Sequence, residues 1–105
     1  MNSRFWNLEK DYDTLVKWWK QHEFELPVPK DVLPPLGIMI EEDNVPICTA
    51  GLYEDYKRTK FGFMFGLFTN PDIGKIKLYK AMNMCLQEIN KLARIKNLGL
   101  VYTIT

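Results

Sequence analysis

Cysteine, histidine and long apolar runs are all scarce in this chain of 105 residues, and each scarcity excludes something. Cys48 and Cys85 are too few and too far apart for a disulfide framework or a zinc site, so no metal is expected. A chain of this kind suits a reducing compartment, and a cytoplasmic location is the expectation. Charge interrupts the apolar stretches every few residues, which excludes a membrane span. Met1-Asn2-Ser3-Arg4 is not followed by an apolar segment, so no secretory signal is expected. Internal repeats and low-complexity tracts are also missing.

What remains is the composition of one ordinary globular domain, 47% hydrophobic and 26% charged, with 13% aromatic residues. A domain of this size buries roughly two-thirds of its unfolded surface and needs no staple. The net charge is +1, but it is unevenly spread. Residues 1–56 carry 11 acids against 5 bases; residues 57–105 carry 9 bases against Asp72 and Glu88 alone. The basic half could attract an anion, or the two halves could simply be differently solvated faces.

Arg4 to Leu8 reads as a short strand. Asp11 or Asp13 then caps a helix in which Tyr12, Leu15, Val16 and Trp19 recur at helical spacing, ending near His22. His22 complements that helix's dipole as a structural group. Of Trp18 and Trp19, one is a core residue and the other faces an acceptor pocket or a partner. Pro27, Pro29, Pro34 and Pro35 make the stretch from Glu23 a loop, with Phe24, Leu26, Val28 and Leu33 available for packing. Leu36 to Glu42 and Val45 to Glu54 form a hairpin turning at Asp43-Asn44. A polar turn at 55–59 leads to a strand from Lys60 to Thr69. In it Phe61, Phe63, Phe65 and Leu67 alternate against Gly62, Met64, Gly66 and Phe68. After Asn70-Pro71-Asp72, Leu78, Met82, Cys85, Ile89 and Leu92 mark a long helix over 73–96. Leu98 to Ile104 is a last strand, parallel to its predecessor. Both cysteines read as small buried hydrophobes.

The result is an α/β (α+β) mixed sheet with the order β-α-β-β-β-α-β. That order, together with three local segments, resembles the GNAT N-acetyltransferase superfamily, in its short phage and bacterial members. The segments are Asp11-Tyr12-Asp13-Thr14-Leu15-Val16-Lys17-Trp18-Trp19, Leu33-Pro34-Pro35-Leu36-Gly37 and Phe68-Thr69-Asn70-Pro71. They are similar to the family's first helix, the lead-in to its second strand and the break before its cofactor helix. A complete member continues past the fifth strand, so the resemblance implies a single domain, residues 1–105, equal to the first two-thirds of that fold.

The resemblance implies acetyl-CoA as co-substrate, with its pyrophosphate on backbone N–H groups at a helix start, here Ile73, Gly74, Lys75, Ile76 and Lys77, with Lys80 one turn on. Its pantetheine arm would bond along Leu67, Phe68 and Thr69. The phosphate loop has one glycine, Gly74, where the family usually has two small residues. The fourth strand carries no carboxylate to act as a base. Glu54 and Tyr102 are the nearest candidates for proton transfer; a solvated strand-end carboxylate and a core tyrosine are the plain alternatives. The acceptor is an unknown amine or a protein. A sheet ending at the fifth strand also implies a homodimer or heteromeric partner on that edge; the competing readings are a binding module without catalysis and a fragment of a longer acetyltransferase. The chain carries no nucleic-acid-binding signature.

Overall fold

The computed structural model describes residues 1–24, 28–54 and 61–103, with backbone alone at 100–103. Leu26, Pro27, the expected turn at 55–59 and Ile104 lie outside the described residues. The elements are β1 (Asn2–Phe5), α1 (Leu8–Gln21), a 3₁₀ turn (Lys30–Val32), β2 (Leu36–Glu42), β3 (Val45–Glu54), β4 (Phe61–Thr69), α2 (Lys75–Ile95) and β5 (Gly99–Thr103). The strands form one sheet in the order β1-β2-β3-β4-β5. β1 to β4 are antiparallel, and β5 joins β4 in parallel, as the βαβ pattern requires. The expected mixed sheet and element order are therefore present. The β2–β3 hairpin turns at Asp43 and Asn44 with φ of 51° and 66°, the left-handed pair that suits a two-residue turn.

The first helix begins a turn earlier than its acidic residues suggest. Asn7, not Asp11 or Asp13, is the cap: its Oδ1 accepts from the Glu9 N–H at 3.1 Å. β1 accordingly runs over Asn2–Phe5, two residues earlier at its start and three at its end than the expected Arg4 to Leu8, and Asp11 lies inside the helix, buried. Its carboxylate accepts two hydrogen bonds of 2.9 Å from the Arg4 guanidinium and one of 2.7 Å from the Asn7 N–H. Arg4 also reaches Glu41 at 3.2 Å, so one side chain ties β1 to α1 and β2.

Burial pulls the Asp11 pKa upward, but the hydrogen bonds from Arg4 and Asn7 outweigh it and hold the carboxyl below its ordinary value. The stabilisation is therefore complete above the unfolded carboxylate pKa of about 4 and is lost as pH falls through the lower folded value. Arg4→Met should cost about 2–3 kcal/mol at pH 7, since it strands a buried carboxylate whose partner was one-third exposed. Asp11→Asn should flatten the loss of stability as pH falls below about 4, by roughly one protonation step. Urea midpoints measured across that range test both; an unchanged acid limb in Asp11→Asn would count against this assignment.

The helices cover opposite faces. α2 packs Ala81, Cys85, Ile89 and Leu92 against Ile38, Ile40, Cys48, Ala50, Leu52 and Met64. α1 packs Leu15, Trp18 and Trp19 with Trp6, Leu33 and Met39. Ile38, Met39 and Ile40 show the strand alternation that divides the two layers. Both tryptophans of α1 are buried, at 3% and 2% exposure. Cys48 and Cys85 are buried, and the neighbouring Cys48 thiol together with burial pushes the Cys85 pKa up, in keeping with inert thiols. No helix among the described residues is long and apolar enough to cross a membrane.

Candidate functional site

The site is built where β4 ends and α2 begins, and an irregularity in β4 shapes it. Along the first part of the strand Met64 faces α2 and Phe65 faces α1. Between Phe65 and Phe68, β4 spends three steps where β3, from Gly51 to Thr49, spends two. The extra residue is a β-bulge, and Gly66 within it has φ of +63°. The alternation expected through Leu67 and Phe68 therefore reverses: Leu67 joins the α2 layer and Phe68 the α1 layer. A strict period of two cannot survive an inserted residue.

Pairing with β5 runs from Phe61↔Gly99 to Phe65↔Thr103, reaching the residue where the bulge begins. At the far end of β4 the Asn70 N–H bonds to the Ile47 carbonyl at 2.9 Å. Antiparallel alternation then turns the N–H and C=O of Thr69 away from β3, toward the β5 side. There His22 meets them: its Nε2 lies 3.0 Å from the Thr69 carbonyl oxygen and 3.3 Å from Oγ1. A carbonyl only accepts, so Nε2 is the donor. The imidazole also stacks on Phe24, with centroids 5.9 Å apart and 28° between planes. His22 is the C-cap of α1, so besides sitting at the negative end of a helix it pins that end to β4.

Asn70 organises the turn into α2. Its Oδ1 accepts from the Asp72 N–H at 2.9 Å, its Nδ2 donates to the Pro46 carbonyl at 2.9 Å, and its carbonyl accepts from Ile73 at 3.3 Å. The helix is entered at Gly74, whose carbonyl takes the first helical bond, from Leu78 at 2.9 Å. The N–H groups of Lys75, Ile76 and Lys77 thus have no helical acceptor, no described side chain caps them, and no acid stands in the first turn. This start is open: a Cβ placed on Gly74 would touch nothing within 4 Å, and Ile76 is 77% exposed. Lys77 is not free, since its Nζ lies 3.4 Å from Glu42. Ile76, Lys77, Lys80 and Met84 line, with Met1 and Glu42, an open groove of about 680 Å³.

Leu67, Phe68 and Thr69 are thus at the same end of the molecule as Ile73, Gly74, Lys75, Ile76, Lys77 and Lys80. Glu54 is not brought to them. It pairs opposite Gly62, five to seven residues or about 17–23 Å along β4 from Leu67–Thr69. Its Oε1 is bound 2.8 Å from Lys96. The backbone of Tyr102 pairs with Met64; its side chain lies outside the described residues. Sequence reasoning missed His22 and Phe24. With Trp18, Trp19, Leu67, Phe68 and Thr69 they enclose a cavity of about 110 Å³ beside the bulged strand end. Only the three-dimensional meeting of residues 22 and 69 makes that cavity, although the tryptophan pair and the stiffened loop after it supplied its walls. Among the described residues no three His, Cys, Asp or Glu side chains gather as a metal site would need.

This is the fold of GNAT-type acetyltransferases. An acetyltransferase from Vibrio fischeri superposes with a TM-score of 0.64 over 99% of this chain and 96% of its own, at 11% identity. An aminoglycoside acetyltransferase from an uncultured soil metagenomic sample, solved with sisomicin, gives 0.69 over 99% of this chain and 76% of its own, at 10% identity. A Trypanosoma brucei acetyltransferase gives 0.61, covering 99% and 81%, at 7% identity. At such identities the likeness is one of fold. No protein-family model and no curated protein matches the sequence.

Proposed function

We propose that this chain binds acetyl-CoA at residues 67–80 and passes the acetyl group to an amine. The observation that carries the reading is the uncapped, solvent-open start of α2 lying directly after the bulged end of β4. Three unpaired N–H groups and a helix dipole suit a diphosphate without any special side chain, and Lys75, Lys77 and Lys80 add charge of the right sign. The thioester arm would lie along the edge of Leu67–Thr69. The Thr69 carbonyl already holds His22, so its N–H is the donor left to the arm there. Transfer would be direct: a neutral amine attacks the thioester while a backbone N–H polarises its carbonyl.

Calorimetric titration with CoA and acetyl-CoA tests this. Lys75→Glu/Lys80→Glu is the informative variant, because neither lysine has a carboxylate partner among the described residues. Its affinity should fall at least tenfold, about 1.4 kcal/mol. Wild-type protein that takes up neither ligand at millimolar concentration would end the proposal.

The sheet order favours a second reading, in which the chain acts by binding a protein. β5 is an edge strand with a single neighbour, and such edges pair with added strands. This reading requires a dimer or a heteromeric complex; a monomer in sedimentation equilibrium would dispose of its homodimeric form.

A further inference from the structure

The cavity between α1 and the end of β4 has a composition that its neighbourhood does not require. Its walls are aromatic and aliphatic, from Trp18, Trp19, Phe24 and Leu67, and among the described residues that line it the one ionisable side chain is His22. The imidazole is exposed rather than packed away, and its orientation is fixed twice, by the stack on Phe24 and by the bond to Thr69. Because Nε2 donates to the Thr69 carbonyl, the neutral ring carries its free lone pair on Nδ1, and no described residue occupies that atom. A tautomer set by a backbone carbonyl, beside an apolar cavity, is the arrangement expected of a proton acceptor rather than of a simple cross-link.

We infer that His22 is the general base for the acceptor amine, and that the cavity receives the compact apolar group attached to that amine. This rests on the acetyl-CoA reading above. In the reaction Nδ1 takes the proton from the ammonium form of the amine. The freed nitrogen lone pair forms the C–N bond to the acetyl carbon, and the C–S bond breaks with its electron pair going to sulfur. The thiolate and the second amine proton combine, leaving an N-acetylamine and CoA. At about 110 Å³ the cavity is somewhat smaller than the ~150 Å³ that takes a benzene ring. A branched alkyl or five-membered carbocyclic amine therefore fits, whereas a polyamine would find no carboxylate among the described residues of the cavity wall to hold its further charges.

The chain has a single histidine, so its ring resonances need no assignment among others. Adding cyclopentylamine without acetyl-CoA should shift those resonances, and spermidine at the same concentration should not. His22→Gln keeps an N–H donor for Thr69 but cannot take the proton. It should bind acetyl-CoA within twofold of wild type, lose about 10²-fold in kcat toward cyclopentylamine, and lose the ascending limb of the pH profile. Phe24→Ala, at an exposed position, removes a cavity wall and the stack on His22 together, so it should raise KM for the amine and lower kcat by less than His22→Gln does. Acetyl-CoA binding with unshifted histidine resonances, or His22→Gln with a wild-type rate and pH profile, would overturn the inference and leave the acetyl-CoA reading standing. No acetyl-CoA binding at all would overturn both.

Discussion

Gly37→Ala is expected to remove about 3 kcal/mol of stability, a large share of the 5–15 kcal/mol that holds a domain of this kind together. The backbone of Gly37 is ordinary strand, so the cost is steric. Trp6 lies flat across β2 and β3, and a Cβ on Gly37 would fall 2.1 Å from its Cε2 and 2.2 Å from its Cδ2. The indole cannot slide along the sheet, because a Cβ on Gly51 would meet Trp6 Cη2 at 2.7 Å and Pro34 Cγ at 2.4 Å. Nor can it swing outward cheaply. It is 94% buried, so displacement would exchange apolar burial for exposure. Urea unfolding should show a lower midpoint at an unchanged slope. In a Trp6→Leu background the same alanine should cost under about 1 kcal/mol, because the atoms it strikes are gone. Equal costs in the two backgrounds would show that the indole is not what keeps Gly37 a glycine.

Regular periodicity is what could be read in advance. The α2 stripe of Cys85, Ile89 and Leu92 is buried as its spacing requires, and the β2–β3 hairpin has the bounds its turn residues imply. The errors fall where a side chain is used for something other than its local propensity. Asp11 has the look of a cap because acids favour helix starts, yet a partner seven residues away makes it a buried anion. Arg4 carried that information, but only a paired β1 and α1 reveal it. Leu67 and Phe68 were assigned to the wrong faces because a bulge has no periodic signature; Gly66 was the one local hint. In the candidate site the chain-local part, the break at Asn70-Pro71 and the helix start after it, was legible. The part made by two distant segments, His22 against Thr69, was not. Glu54 was grouped with the site on strand membership alone, and strand direction puts it at the sheet's other end.

Gly66→Ala is the variant on which fold and site converge. Its φ of +63° costs an L-residue about 1–2 kcal/mol, and a Cβ there would lie 2.6 Å from Phe68 Cζ. Phe68 is not free to yield: its ring stands edge-on to Trp19 at 5.1 Å and to Phe65 at 6.0 Å. Strain and clash together should cost about 2–4 kcal/mol. The strand's alternative is to drop the bulge, but a strand without the extra residue turns Leu67, Phe68 and Thr69 to their opposite faces. That would put Phe68 against α2, withdraw Leu67 from it and part Thr69 from His22. Either way the edge on which the thioester arm is to lie is lost, so acetyl-CoA affinity should fall at least tenfold even where the variant remains folded. Calorimetry below the unfolding midpoint separates the two effects. Gly66→Ala with wild-type affinity and an undisturbed histidine spectrum would mean that the bulge is incidental to the site. Reduced affinity in protein that circular dichroism reports as folded would make the bulge part of the ligand site.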